Sequence, residues 1–431
     1  GTKAEELLEL RLGLAHPGAG ALATCVAPQT LVALPPQDEE SLRKAVQEFF
    51  AASAEKQAAW TFNRRHEELL RNFEPACRAI VWGAYREAPI HAAAEQGYAS
   101  NQVQYGKYLS HYTLKKVGSK PPEGWPLFIA MHGGGGAPKE VNDSQWKVMQ
   151  KYYRDQTNVT GYAYLALRAP NDSWNGFYDT YVYPLIDTLI RQHTLYGEID
   201  PNKVFLMGYS HGGYGAFAIG PKMPDHFAAI HSSAAAPTEG ETTPKTLRHT
   251  RFTYMIGEKD HAYGRLSRCT NFDNAILKLR GERTDIYPVA MEYRAGFGHG
   301  GLPDRDKIAD LYPAVRDPVP RDLTWEMTDN VITNFFWLRT SAPRKKRLIE
   351  ATCLDNHIRV TTSTNLTQAT VFLDSRLVDF QRPIVLELNG RSSTHQVEPS
   401  LKTFCQTLLE RGDVNLAFAG RLDLDLAERN E

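Results

Sequence analysis

Val204-Phe205-Leu206-Met207 runs straight into Gly208-Tyr209-Ser210-His211-Gly212-Gly213, and Gly215-Ala216-Phe217-Ala218 follows. Four consecutive apolar residues read as a strand buried on both faces, as in a parallel sheet covered by helices. The small residues beyond the turn read as a helix packed closely on that strand. Between the two sits G-x-S-x-G, which in a strand, turn, helix context exposes a serine hydroxyl on a sharp bend. A serine hydroxyl is a poor nucleophile and needs that exposure, within reach of a base, to attack anything. The flanking glycines let the backbone pass close to itself where a Cβ would clash. Such a turn can be purely structural; the strand before it and the helix after it mark Ser210 as a candidate nucleophile.

Outward from this point, residues 102–338 alternate strands with helices, the pattern of a mostly parallel sheet flanked by helices. Residues 105–116 predict opening antiparallel strands, and 127–131 and 163–167 two more strands. A long amphipathic helix over 178–196 precedes the strand at 204–207. Strands at 227–233, 252–256 and 287–293 complete the expected core. The fold class is therefore α/β over residues 101–342.

Residues 1–100 read as a helical region, with helices at 4–14, 38–50 and 54–73 and a Pro-rich linker at 27–37. Acids at 38–40 sit where the helix dipole favours them. A helical cap packed on the main domain is expected, and a lid shaping the pocket is the alternative. After the basic junction Lys345-Lys346-Arg347, residues 343–431 read as a small β-rich, sandwich-like domain. Segments 357–362, 369–374 and 384–388 are expected strands, Asn389-Gly390 is a two-residue hairpin signal, 401–409 reads helical, and 417–426 alternates as a half-buried strand should.

Three further segments carry chemistry. His132-Gly133-Gly134-Gly135-Gly136 ends the strand at 127–131, and glycines there can aim backbone N–H groups at a developing oxyanion. The N–H of Gly134 or Gly135, with that of His211, is the expected pair, and His132 reads as structural. No Gly-Lys-Ser/Thr follows, so a phosphate cradle is disfavoured. Gly257-Glu258-Lys259-Asp260 follows a strand and offers the acid that orients a catalytic base. Gly296-Phe297-Gly298-His299-Gly300-Gly301 offers the base itself, whose ordinary pKa suits proton transfer near neutrality. His261 competes, but its adjacency to Asp260 aims its ring awkwardly. The order Ser210, Asp260, His299 is that of the G-x-S-x-G hydrolases. After the strand at 163–167, Trp174, Phe177 and Tyr178 are candidate walls of a substrate pocket; a packed surface loop is the other reading.

Composition bounds the partners. Lys plus Arg total 49 against 50 Asp plus Glu, for a net charge of −1, which gives no reason to expect nucleic acid or an anionic membrane. No apolar run approaches the length of a membrane span. The five cysteines, Cys25, Cys77, Cys269, Cys353 and Cys405, form no C-x-x-C pair, and the histidines lack ligand spacing, so no metal site is expected. Cys353 and Cys405 could pair within the C-terminal unit. The chain starts at Gly1 rather than Met, as a trimmed chain does, so a secreted or periplasmic protein whose signal was removed is compatible with it.

With these motifs in hand, the central portion resembles the α/β-hydrolase fold esterases that include feruloyl and acetyl-xylan esterases and polyhydroxybutyrate depolymerases. The likeness rests on strand-H-G-G-G, M-G-Y-S-H-G-G-Y-G-A-F-A, P-D-H-F-A-A-I, G-E-K-D and G-H-G-G, in that order. It is strongest with bacterial predicted esterases or peptidases that add a β-rich C-terminal domain. The resemblance implies a triad of Ser210, Asp260 and His299, no cofactor, and a small-molecule or carbohydrate-linked ester as substrate. One departure is His211, where depolymerase-like members carry Ala. A larger polar side chain beside the nucleophile narrows the acyl pocket and argues against a polyester. A peptidase acting on small peptides and a carbohydrate-binding protein with a vestigial hydrolase core are the competing expectations.

Overall fold

The computed structural model describes residues 33–363 and 366–426. The helix expected at 4–14, most of the 27–37 linker and Cys25 lie outside them. The first described elements are helices α1 (Pro36–Ala51), α2 (Ala54–Ala59), α3 (Arg64–Arg86) and α4 (Ala92–Ala99). In α1, Pro36 takes the first turn, where its missing N–H costs nothing, and Leu42, Val46, Phe49 and Phe50 form the buried stripe. The single helix expected at 54–73 is two. Asn63 caps α3 by accepting from the His66 N–H at 2.8 Å, and α3 kinks at Phe73, two residues before Pro75.

The central sheet contains β1 (Gln102–Tyr105), β2 (Tyr108–Gly118), β3 (Trp125–Met131), β4 (Gly161–Leu167), β5 (Ile199–Tyr209), β6 (Ala229–Ser233), β7 (Arg251–Gly257) and β8 (Val289–Arg294). Their spatial order is β1-β2-β4-β3-β5-β6-β7-β8. β1 and β2 run antiparallel and β2 runs antiparallel to β4, while every pairing from β4 to β8 is parallel. This is the α/β-hydrolase fold. Alternate residues along the central strands face opposite cores, because strand side chains have a period of two. Leu127, Ile129, Leu165 and Leu206 join helices α6 (Val182–Tyr196), α7 (His211–Lys222) and α8 (Arg265–Arg280) in one layer. Phe128, Tyr164 and Phe205 face α5 (Lys139–Met149) and α9 (Lys307–Leu311) in the other. Both faces being buried is why these strands show no polar alternation.

A sandwich follows. One sheet has the order β10-β11-β14-β17 and the other β16-β15-β13-β12-β9. The strands are β9 (Asp322–Glu326), β10 (Asn334–Phe335), β11 (Leu338–Arg339), β12 (Leu348–Leu354), β13 (His357–Thr362), β14 (Gln368–Leu373), β15 (Ile384–Leu388), β16 (Arg391–His395) and β17 (Gly420–Asp425). Asn389 and Gly390, with φ of 52° and 82°, make the two-residue turn between β15 and β16. β9 pairs with β12, so the β-rich part reaches upstream of the boundary expected at 342. Helix α10 (Leu401–Arg411) leaves the sandwich core and packs Leu401, Phe404, Cys405 and Leu408 among the buried residues of α1 and α3. The N-terminal helices thus bury their apolar faces against α10 and Leu195 of α6, as a packed cap does. Arg78 of α3 ties this joint, donating to Val414 O at 2.6 Å and Ala417 O at 2.9 Å and pairing with Glu74 and Asp374. Cys353 and Cys405, expected as a possible pair, are both free and lie in separate cores, the first in the sandwich and the second under the N-terminal helices.

One partly buried charge cluster makes stability depend on pH. His226 bridges two carboxylates, Nδ1 to Asp225 at 3.0 Å and Nε2 to Asp187 at 3.1 Å. Burial opposes its charge, but the two carboxylates prevail and its pKa is pushed up to about 9. A folded-state pKa above the ordinary value of about 6.5 stabilises the protein fully below pH 6.5, and that stabilisation is lost as pH rises through 9. Thermal melts of His226→Gln are expected to lie below wild type at pH 6 and to converge toward it by pH 9.5. A constant difference across that range would rule out the linkage.

Candidate active site

The site lies at the carboxyl ends of β5, β7 and β8, the usual rim for ligands in open α/β sheets. β5 delivers Ser210 on a bend so sharp that its own backbone sits at φ 53°, ψ −112°. Non-glycine residues adopt such values only when the surroundings impose them. The glycines around it are dictated by contact. A Cβ on Gly208 would stand 2.0 Å from Gly212 O, and one on Gly212 would stand 2.2 Å from Met131 O. Helix α7 starts at His211, so its positive N-terminal end points at Ser210.

The Ser210 hydroxyl donates to His299 Nε2 at 3.0 Å, and His299 Nδ1–H donates to Asp260 Oδ2 at 2.9 Å. The structure therefore brings the three expected residues into one hydrogen-bonded line, although 89 positions separate Ser210 from His299. His261 is exposed and, among the described residues, makes no side-chain hydrogen bond to Ser210 or Asp260. The loop carrying His299 is fastened on three sides. Tyr209 donates its hydroxyl to His299 O at 2.7 Å, Glu258 accepts from the Gly296 N–H at 2.6 Å, and the Lys259 N–H donates to Phe297 O at 2.8 Å.

Asp260 has a second partner that the sequence did not announce. Arg265, at the start of α8, donates Nε to Asp260 Oδ1 at 2.8 Å and places Nη2 2.6 Å from the same oxygen. Both side chains are almost completely buried. Burial works against the Arg265 charge, yet the hydrogen bond to Asp260 holds its pKa above the ordinary guanidinium value. The carboxylate thus has one oxygen committed to a fixed cation and the other to the imidazole. Only its placement five residues after G-x-x-D could have hinted at this.

The glycine loop after β3 differs in one respect from the expectation. The Gly135 N–H donates to Asn142 Oδ1 of α5 at 2.8 Å, and Asn142 donates in turn to Ala137 O at 2.9 Å. Gly135 therefore drops out as an oxyanion donor, and the Gly136 N–H is likewise taken by Asp172 O at 2.9 Å. The N–H groups of Gly134 and His211 have no acceptor among the described residues. His132 fixes the base of the loop: Nδ1–H donates to Gly133 O at 2.6 Å and Nε2 accepts from the Ala169 N–H at 3.1 Å. Burial pushes its pKa down to about 3, so it is a neutral structural histidine. His211 is buried too, held down to about 4, and donates Nε2–H to Trp174 O at 2.9 Å, so it stays neutral beside Ser210.

The three aromatic candidates separate. Trp174 is 44% exposed and stands 5.8 Å, ring to ring, from Tyr263, itself 71% exposed. Phe177 is wholly buried in the core beneath His211, so it is no pocket wall, a correction to the expectation. Tyr178 is partly buried against that core. Tyr263 escaped notice because nothing local marks an exposed ring at φ 55°. A cavity of about 450 Å³ is bounded by Gly133, Tyr209, Gly300 and Gly301, the last two following His299 in its loop.

No family model matches the chain, and no curated protein matches it. Solved structures similar to it include a thermostable esterase, at 16% identity over 51% of this chain and 64% of that one, with a TM-score of 0.39. Others are the poly(3-hydroxybutyrate) depolymerase LpqC from Bordetella parapertussis, at 15% identity over 48% and 88% with a TM-score of 0.33, and Est1E from Butyrivibrio proteoclasticus, at 12% over 49% and 94% with 0.34. At such values the likenesses say nothing about activity; the fold rests on its strand order.

Proposed function

We propose that the chain is a serine hydrolase of carboxylic esters, acting through an acyl-enzyme. The observation that carries this reading is the unbroken hydrogen-bonded line from the Ser210 hydroxyl through His299 to the buried Asp260. Ser210 Oγ attacks the ester carbonyl while His299 Nε2 takes its proton, and Asp260 holds the imidazole in the required tautomer. The Gly134 and His211 N–H groups donate to the oxyanion of the tetrahedral intermediate. His299 then gives its proton to the departing alcohol. A water attacks the acyl-enzyme by the same route and frees Ser210. Neutral His132 and His211 leave His299 as the proton carrier at the site.

Esters of carbohydrates, aryl or acyl, are the substrate class that fits best. The exposed faces of Trp174 and Tyr263 offer flat surfaces for a sugar or aryl ring beside the nucleophile. A fluorophosphonate probe is expected to label wild type at Ser210 and to leave Ser210→Ala unlabelled. Acetyl, butyryl and feruloyl p-nitrophenyl esters should then be turned over faster than aminoacyl nitroanilides. A silent probe, or nitroanilides as the better substrates, would overturn the ester reading.

A further inference from the structure

The cavity lined by Tyr209, next to Ser210 in the chain, and by Gly133, whose Cβ position lies 3.6 Å from Ser210 Cβ, reaches past Gly300 and Gly301 to Arg154, Arg305 and Asp306. It borders the loop of His299. In the mechanism above, His299 protonates the departing oxygen, so this is the side on which the alcohol lies; the assignment of side rests on that reading. Two of the three charged residues there are satisfied by each other. Asp306 Oδ2 accepts from Arg154 Nη1 at 2.8 Å, and Oδ1 accepts from Gln156 Nε2 at 3.2 Å.

Arg305 is placed differently. Its guanidinium lies over the Tyr152 ring, 4.9 Å from the centroid, and no carboxylate pairs with it among the described residues. Tyr152 is itself anchored, donating its hydroxyl to buried Asp304 Oδ1 at 2.6 Å. Asp304 is no counter-ion for the cavity. Burial raises its pKa, disfavouring its charge, and it lies below the surface. An arginine resting on an aromatic face keeps its N–H edge free for a planar anion. The cavity lining thus carries one positive charge more than it neutralises, with the donor fork that matches a carboxylate.

We infer that the alcohol portion of the substrate carries a carboxylate, bound by Arg305. The substrate class is an acylated hydroxy acid, such as an ester on a uronic acid, rather than an ester of a neutral alcohol. Arg305 is a specificity residue; it takes no part in bond making.

The test compares 4-acetoxybenzoate with its uncharged counterpart 4-acetoxybenzamide, in wild type, Arg305→Gln and Arg305→Lys. The carboxylate ester is expected to have a kcat/KM about tenfold above the amide, the size of one charge-assisted hydrogen bond. Arg305→Gln should erase that ratio and Arg305→Lys should keep part of it. Calorimetric titration of the same two compounds into Ser210→Ala, with and without Arg305→Gln, reads the preference without turnover. A binding preference that vanishes with Arg305 upholds the inference even if no ester is cleaved, an outcome that would remove the hydrolase reading alone. Equal binding of acid and amide, or a preference indifferent to Arg305, overturns it however fast the esters are hydrolysed.

Discussion

Ser210→Ala is expected to lower kcat on a p-nitrophenyl ester by more than about 10⁴-fold, and His299→Ala to do nearly the same. The reason is chemical. Without Oγ there is no group to carry the acyl chain, and without Nε2 at 3.0 Å the hydroxyl remains a neutral alcohol that cannot compete with water. The two losses should not add, because each variant already disables the same proton transfer; the double variant is expected to match the worse single one. What activity survives would come from the N–H groups of Gly134 and His211 and from binding. Thermal melts should stay close to wild type, since Ser210 keeps its strained backbone through Gly212 N–H to His132 O and Ser210 N–H to Ser233 O, both at 2.9 Å and neither involving a side chain. Either single variant retaining a rate within tenfold of wild type would remove these residues from the machinery.

The fold and the candidate site were legible to different depths, for physical reasons. The strands from 127 to 257 show themselves because burial on both faces forces continuous apolar runs, which is a local property of the chain. The bend at Ser210 shows itself through Gly208, demanded by an atom four residues away, Gly212 O, whereas Gly212 itself is demanded across the fold by Met131 O. Where a contact is made across the fold, the text is silent. Nothing in the glycine run tells Gly134 from Gly135; the difference is an Asn142 side chain arriving from α5. Trp174 and Phe177 are both aromatic residues of one loop, and only the packing of Phe177 against His132 and His211 sends it into the core. The pairing of β9 with β12 crosses the 342 boundary because strand pairing is set by neighbours in space. The same holds for α10, whose apolar stripe reads as part of a C-terminal unit until it meets α1 and α3.

Arg265 is the clearest instance of that silence, and its removal should have the second largest effect. Arg265→Met is expected to destabilise the protein by about 3–5 kcal/mol, because it leaves the buried Asp260 carboxylate without its cation while filling a similar volume. Replacing both partners would cost less than replacing Arg265 alone, since the penalty lies in the orphaned charge rather than in the lost attraction. Function should respond in a way that destabilisation alone cannot produce. With the fixed positive charge gone, the carboxylate stabilises a positive imidazole ring more strongly, so the protonated, inactive form of the base persists to higher pH. The acid limb of the pH–rate profile is therefore expected to move to higher pH in Arg265→Met, with a smaller move in Arg265→Lys, which keeps the charge but loses the two-point grip on Oδ1. Measuring kcat/KM from pH 4.5 to 8 at a temperature where each variant remains folded separates the two effects. An unmoved acid limb would make Arg265 a purely structural clamp, and the grip on Asp260 would then owe nothing to the chemistry at His299.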